Sequence, residues 1–253
     1  MTDGQTGART EAPRAPEVIV ALDVPEPEDA FGLVDRLPSD TWYKVGLELF
    51  TRAGPPVVER LVGEGRHVFL DLKLHDIPNT VAGAVRSVAR LGVELLTIHG
   101  AGGEAMLRAA VAAASEARAA AGPSGGSRRP LRLLAITVLT SLDDAALAAV
   151  MGPGASVEAT AGRLAGLARE SGVDGAVCSV NEAHAVRLAC GADFLVVTPG
   201  IRLAGESGDD QRRVATPAVA RAAGADFLVV GRSITRAADP AAALARIREA
   251  VDY

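Results

Sequence analysis

The chain has 253 residues, of which 49% are hydrophobic and 23% are charged, and its formal net charge at pH 7 is −5. This apolar fraction excludes a largely disordered chain, and the mild acidity argues against a broad nucleic-acid-binding surface, which needs clustered Lys and Arg. A length of about 250 residues is typical of a single eight-stranded α/β barrel.

The N-terminal residues are polar and rich in Pro and Gly, and they lack the apolar stretch of a signal peptide. We therefore expect residues 1–16 to be a flexible extension and residues 17–253 to be the catalytic domain. No apolar run approaches the roughly 18 residues of a membrane span. The two cysteines, Cys178 and Cys190, have no metal-ligand spacing with the four histidines and form no disulfide framework. The sequence predicts a cytoplasmic protein without a membrane segment or a metal site.

Short β-favouring segments alternate along the chain with longer segments of helical character. The predicted strands are 17–22, 42–46, 67–73, 94–99, 131–138, 173–178, 192–198 and 225–230. Amphipathic stretches between them, such as 80–91 and 156–171, predict helices, whereas 122–130 is a Gly- and Ser-rich insertion that predicts a flexible loop. Unbroken Val, Leu and Ile runs indicate strands covered on both faces. This pattern favours an α/β fold, a single (β/α)8 TIM barrel, over an open doubly wound sheet.

The two lysines of the chain, Lys44 and Lys73, both lie on predicted strands, although arginine supplies every other basic side chain. Arginine cannot replace a compact ammonium that transfers a proton, so we interpret both lysines as functional. Asp71 is two residues before Lys73. Because side chains alternate along a strand, both should lie on one side of the third strand, and the leucines that flank them should lie on the other. Ionisable groups inside a barrel are costly unless paired, and at its C-terminal end they are active-site candidates.

A glycine-rich segment follows the fourth strand. Residues 100–105, GAGGEA, fit the loose pattern of a dinucleotide-binding turn, but that turn should follow the first strand of a βαβ unit. The next strand also lacks the acidic residue that such a site needs. We interpret these glycines as allowing a loop at the rim to approach a ligand closely.

The segment GADFLVV occurs twice, at 191–197 and at 224–230, in the predicted seventh and eighth strands. Each copy is followed by a turn that contains glycine and arginine, with Arg202 in the first and Arg232 in the second. The loops after these two strands often bind phosphate in such barrels. The sequence therefore predicts a phosphate site between them.

Polar residues follow the ends of several predicted strands, so we expect one polar rim. They are Asp23 after strand one, Asp76, Asn79 and Thr80 after strand three, Thr140 and Ser141 after strand five, Arg202 and the more distant Gln211 after strand seven, and Arg232 after strand eight. The residues after strand three also suit turn or N-cap positions. For Asp71 and Lys73, a purely structural ion pair is the weaker interpretation.

Residues 71–80, DLKLHDIPNT, resemble the signature of the orotidine 5′-phosphate decarboxylase family. The shorter pattern D-x-K-x-x-D is shared with related phosphate-binding decarboxylases and aldolase-like enzymes, whereas the longer string is far more specific. The resemblance covers essentially 17–250. It includes ALDVP at 21–25, YKVGLELF at 43–50, TIHGAGG at 97–103, VLTSL at 138–142, TPGIR at 198–202 and VVGRSIT at 229–235.

This resemblance implies decarboxylation of orotidine 5′-phosphate to UMP in pyrimidine biosynthesis, with no cofactor and no metal, by a homodimer with shared active sites. It implies that Lys73 is the proton donor within a charge array around the scissile carboxylate. The residues that it implicates are Lys44, Asp71, Lys73 and Asp76 in that array, Asp76 and Thr80 from the partner subunit, Asp23 and Lys44 at the ribose, Thr140 and Ser141 near the pyrimidine, and Arg202, Gln211, Gly231 and Arg232 at the phosphate and its covering loop.

Two other functions remain open from the sequence. A decarboxylase of the same barrel group could act on a sugar-acid phosphate with Mg²⁺, and a non-catalytic barrel could bind a nucleotide without turning it over. A Schiff-base aldolase is disfavoured because the sixth-strand segment 173–180, VDGAVCSV, contains no lysine. The complete Lys and Asp set argues against the non-catalytic barrel.

Overall fold

The computed structural model describes residues 15–121, 130–203 and 213–252 of the chain. Most of the predicted N-terminal extension (1–16), most of the predicted loop at 122–130, and the candidate Gln211 lie outside these residues. Among the helices of the described residues, none combines the length and the hydropathy that a bilayer crossing requires.

Parallel strands form a closed barrel in which each strand pairs with the next and the last pairs with the first. The strands are β1 (Glu17–Ala21), β2 (Trp42–Gly46), β3 (His67–Leu74), β4 (Leu95–His99), β5 (Arg132–Ile136), β6 (Gly175–Val177), β7 (Leu195–Thr198) and β8 (Phe227–Val230). The predicted TIM barrel is therefore confirmed, and every predicted strand overlaps an observed one.

Helices connect the strands and cover the outside of the barrel. They are α1 (Pro27–Val34), α2 (Leu47–Ala53), α3 (Pro55–Gly63), α4 (Pro78–Ala89), α5 (Gly103–Ala121), α6 (Asp144–Met151), α7 (Val157–Glu170), α8 (Val180–Cys190), α9 (Pro217–Ala222), α10 (Arg232–Thr235) and α11 (Pro240–Asp252), with a 3₁₀ turn at Gly100–Gly102. The helices predicted at 80–91 and 156–171 correspond to α4 and α7. Ser156 begins α7 because its side chain accepts a hydrogen bond from the Ala159 N–H.

The buried side chains form an inner and an outer layer, as strand alternation requires. The inner layer contains Ile19, Ala21, Trp42, Phe69, Leu95, Leu134, Val197, Phe227 and Val229. At its N-terminal end Trp42 stacks on His67 with ring centroids 4.8 Å apart, and His67 contacts the buried Glu94. These contacts close the floor of the barrel, so the space for a ligand lies at the C-terminal ends of the strands.

Strand β3 departs from the simple alternation that the sequence predicts. Its register against β4 shifts between Leu70 and Leu74, and within that shift Lys73 has a φ of 49°. The leucines at 70, 72 and 74 do pack against the outer core, as expected. The side chains of Asp71 and Lys73 are still in contact, as predicted. The contact forms across a bend in the backbone and not along a regular strand.

Gly100 has a packing role that the sequence did not predict. A Cβ atom at Gly100 would lie 2.9 Å from the carbonyl oxygen of Ile136, so a side chain there would collide with the backbone next to β5. The glycines at 100–103 are absent from the residues that line the large cavity described below. Packing between protein segments, rather than the approach of a ligand, explains Gly100.

Candidate active site

A cavity of 630 Å³ opens at the C-terminal ends of the strands. Cavities of about 300–1,000 Å³ are typical of small-molecule sites. The predicted site residues that line it are Asp23, Lys44, Asp71, Lys73, Thr140, Arg202, Gly231 and Arg232. The structure therefore brings these predicted residues together around one cavity.

Four charged side chains of alternating sign form a continuous chain on one side of the cavity. Lys44 Nζ lies 2.8 Å from Asp23 Oδ1 and 3.8 Å from Asp71 Oδ2. Lys73 Nζ donates to both Asp71 carboxylate oxygens, at 2.9 Å and 2.8 Å. Opposite charges about 4 Å apart attract by roughly 4 kcal/mol at an effective dielectric constant near 20. This attraction offsets part of the cost of removing the charges from water.

Gly46 at the end of β2 makes room for this cluster, a role that the sequence analysis missed. A Cβ atom at Gly46 would lie 2.9 Å from Lys44 Nζ and 3.2 Å from Asp23 Oδ1. Any larger residue would therefore displace the ion pair between these two side chains. The signal in the sequence is a glycine that ends a strand directly after a functional lysine.

Thr97 on β4 is a second residue that the sequence analysis missed. Its side chain is fully buried, and its hydroxyl donates to Asp71 Oδ1 at 2.9 Å. Thr97 Oγ1 in turn accepts a hydrogen bond from the backbone N–H of Lys73 at 2.8 Å. A single hydroxyl among the apolar residues in the middle of the strand LLTIH is the sequence signal that points to it.

Cations also collect after β7 and β8, where the phosphate site was predicted. Arg202 and Arg232 line it as expected, and Thr235 and Arg236, which were not predicted, line it with them. Arg202 Nε is buried and has no hydrogen-bond partner among the described residues. Arginine side chains at a cavity are suited to binding an anionic ligand.

Asp76, Thr80 and Ser141 are exposed and do not line the cavity of their own chain. Asp76 Oδ1 accepts a hydrogen bond from the Ile77 N–H at 2.7 Å, which fixes the carboxylate in the turn before α4. Thr80 lies in the first turn of α4, and its N–H is hydrogen-bonded to the Ile77 carbonyl. Their predicted action in a partner's site stays a prediction.

Two histidines stack beside the lysine cluster. The rings of His75 and His99 are 4.8 Å apart, and His99 Nδ1 accepts a hydrogen bond from the Ala101 N–H. Burial lowers the pKa of His99 below its ordinary value, and the nearby charges of His75 and Lys73 lower it further. The neutral imidazole is therefore the favoured form of His99.

Cys178 also lines the cavity, although its thiol is not suited to nucleophilic chemistry. Burial raises the pKa of Cys178 strongly, and the carboxylate of Glu182 raises it further. The reactive thiolate form is therefore disfavoured. Within the described part of the chain, no group of three or more His, Cys, Asp or Glu side chains is arranged to hold a metal ion.

Comparison with known proteins agrees with this geometry. Residues 16–247 match the sequence model of the orotidine 5′-phosphate decarboxylase / HUMPS family. Relatives named orotidine 5′-phosphate decarboxylase include one from Moorella thermoacetica, which is 52% identical over 93% of this chain and 92% of its own length. Another, from Laribacter hongkongensis, is 51% identical over 93% of this chain and 96% of its own length.

The solved structures agree as well. The crystal structure of orotidine 5′-phosphate decarboxylase from Lactobacillus acidophilus superposes with a TM-score of 0.82 at 37% identity, covering 94% of this chain and 100% of that one. An uncharacterized conserved protein from Geobacillus kaustophilus superposes with a TM-score of 0.79 at 40% identity, covering 92% and 99%. The chain belongs to the orotidine 5′-phosphate decarboxylase / HUMPS family.

Proposed function

We propose that this protein decarboxylates orotidine 5′-phosphate to UMP. This is the activity that the name of its relatives describes. The observation that carries the proposal is the distribution of charge in one cavity. The alternating chain Asp23–Lys44–Asp71–Lys73 follows β1 to β3, and the arginines of the same cavity follow β7 and β8. A nucleotide with a carboxylate on its base and a phosphate at its far end matches both groups of charges.

In the proposed reaction the bond between C6 of the pyrimidine and the carboxylate breaks, and its electron pair stays on C6. That electron pair lies in the plane of the ring, where the π-system of the pyrimidine cannot accept it, so a fixed cation beside C6 lowers the barrier. The Lys73 ammonium provides this cation and then gives its proton to C6 as CO₂ leaves. Solvent returns the proton to Lys73. No cofactor or metal ion takes part in the proposed reaction.

The arginine side of the cavity supplies binding energy far from the bond that breaks. We propose that Arg202, Gly231 and Arg232 bind the phosphate, together with Gln211, and that Asp23 and Lys44 bind the ribose. Thr140 lines the same cavity, and we assign it and Ser141 to the pyrimidine. Binding energy from a remote phosphate can be used to position the base against the lysine cluster.

We also propose that two chains form a homodimer in which Asp76 and Thr80 complete the partner's site. Both residues are exposed and lie next to Ile77, whose side chain is apolar and 67% exposed. Burial of such a side chain favours association. The reaction is proposed to occur in the cytoplasm, which suits the two free cysteines.

The test follows the absorbance of orotidine 5′-phosphate after it is mixed with purified protein, with and without EDTA. We expect loss of the substrate at the same rate in both samples and UMP as the product. If EDTA abolishes turnover and Mg²⁺ restores it, the Mg²⁺-dependent alternative is correct. If UMP binds but orotidine 5′-phosphate persists, the protein is a nucleotide-binding barrel and the proposal is wrong.

A further inference from the structure

Lys73 has an unusual backbone conformation. Among the described residues it is the non-glycine residue with a positive φ, at 49°. Left-handed backbone is costly for a residue with a side chain, and it persists only where the surroundings hold it in place. Something in the structure must therefore stabilise this conformation.

The side chain of Thr97 supplies that stabilisation from the neighbouring strand. Its Oγ1 accepts a hydrogen bond from the Lys73 N–H at 2.8 Å, so the bent backbone keeps a satisfied donor. A regular strand would pair this N–H with a backbone carbonyl, but the register between β3 and β4 shifts here. The hydroxyl thus replaces a missing ladder hydrogen bond.

The same hydroxyl also orients the carboxylate that holds the Lys73 ammonium. A threonine hydroxyl has one proton to donate, and Thr97 donates it to Asp71 Oδ1 at 2.9 Å. Asp71 then accepts from Lys73 Nζ with both oxygens, and its Oδ2 lies 3.8 Å from Lys44 Nζ. One buried side chain therefore contacts both the backbone of Lys73 and the partner of its ammonium.

We infer that Thr97 is a positioning residue that sets where the Lys73 ammonium stands in the cavity. Thr97 is absent from the residues that line the cavity, so it acts through Lys73 and Asp71. The inference deepens the proposed function and rests on it for the role of Lys73. A misplacement of about 1 Å at a reacting group can reduce a rate by about 100-fold.

Thr97→Val tests this inference because it keeps the shape of the side chain and removes the hydroxyl. We expect kcat to fall by about 10- to 100-fold while KM changes little, because the phosphate and ribose contacts lie elsewhere. Thr97→Ser keeps the hydroxyl and should restore most of kcat. Thr97→Cys, with a weaker donor and acceptor, should be intermediate and serves if the valine variant does not fold.

Thr137→Val is the matched control. Thr137 is another buried threonine, and its hydroxyl donates to the Val177 carbonyl at 2.9 Å without contacting either lysine. Its loss should lower thermal stability but leave kcat unchanged. If Thr97→Val keeps the wild-type kcat, or if Thr137→Val loses kcat as strongly, Thr97 has only a structural role and the inference is wrong.

A second measurement does not depend on turnover. Because the chain has two lysines, protein labelled with ¹³C at lysine Cε should give two lysine signals, which Lys44→Met assigns. We expect Thr97→Val to shift the Lys73 signal and Thr137→Val to leave it in place. An unshifted Lys73 signal would overturn the inference, even in a protein that is inactive because the proposed function is wrong.

Discussion

Lys73 is the residue on which the proposed chemistry depends most directly. Its ammonium contacts both oxygens of Asp71, and its side chain is 31% exposed to the cavity. An arginine at this position would carry the charge but would be a poor acid with a different geometry. The charge and the ability to give up a proton can therefore be separated experimentally.

We predict that Lys73→Ala lowers kcat by at least about 100-fold, the lower range of a general acid's contribution. UMP should still bind measurably, because Arg202 and Arg232, the proposed phosphate contacts, remain in the cavity. Lys73→Arg should not restore turnover. Steady-state kinetics and calorimetric titration with UMP measure these effects, and near-normal turnover of the arginine variant would remove Lys73 as the proton donor.

His99 gives a prediction about pH. Burial and its neighbours lower the pKa of His99 in the folded state, whereas an unfolded histidine titrates at about 6.5. The unfolded chain therefore binds a proton first as the pH falls. The contribution of His99 to the free energy of unfolding is therefore fully present above about pH 6.5. It is lost as the pH falls through the folded-state pKa of His99, because protons bind more readily to the unfolded chain.

We predict that the free energy of unfolding, measured with urea at pH 7.5 and at pH 5.5, falls less in His99→Phe than in the wild type. Phenylalanine can keep the stacking on His75 but cannot take up a proton. His184→Gln, at an exposed position on α8, controls for the removal of an imidazole. An equal fall in wild type and His99→Phe would mean that other groups cause the acid sensitivity.

At the scale of the elements, the centres of the strands were predictable and their ends were not. The segment predicted as 192–198 begins as a strand only at Leu195, because Arg187 binds the carbonyls of Gly191, Ala192 and Phe194. A side chain from the preceding helix α8 therefore takes the place of strand pairing. Hydrophobic periodicity carries no information about such a contact.

The candidate site was also predictable only in part. The rim residues were predictable, because a parallel barrel brings the C-terminal ends of its strands together. Thr97 and the left-handed Lys73 were not, because alternation along β3 assumes a regular ladder and the register shift breaks it. A single hydroxyl in an apolar strand indicates a buried partner but does not identify it.

Arg213 joins several elements beside the cavity. Its guanidinium lies 2.7 Å from Glu182 Oε1 on α8 and donates to the Leu139 carbonyl at 3.0 Å, next to the cavity-lining Thr140. The two side chains are only 12% and 5% exposed. Removal of one partner would leave a buried charge unpaired, which costs far more than the loss of a surface ion pair.

We predict that Arg213→Met lowers the free energy of unfolding by about 3–5 kcal/mol, since Glu182 loses its partner inside the protein. Arg108→Met is the matched control. Arg108 pairs with Glu104 at 2.7 Å on the surface of α5, where both side chains are more than half exposed, so its loss should cost about 0.5 kcal/mol. Chemical denaturation measures both changes, and similar losses would contradict the structural role of the Arg213–Glu182 pair.

At the scale of the whole molecule, the proposed homodimer would assemble each site from two chains. The cavity holds Asp23, Lys44, Asp71 and Lys73, whereas Asp76 stands exposed in the turn that leads into α4. Asp71 and Lys73 belong to the strand and point into their own barrel. Asp76 lies beyond the strand, so it can reach a neighbouring chain. In a two-fold symmetric dimer each turn would then serve the partner's cavity.

We predict that two inactive variants, Lys73→Ala and Asp76→Ala, regain activity when their subunits exchange. Each mixed dimer would have one site with both lesions and one site with neither, because Lys73 stays in its own cavity and Asp76 enters the other. If the sites act independently, a mixed dimer should have about half the activity of a wild-type dimer. Native mass spectrometry of differently tagged chains establishes that exchange has occurred, and the decarboxylation rate of the mixture is then measured. Unmixed samples of each variant provide the baseline. Exchange without recovered activity would place both residues in the site of the same subunit.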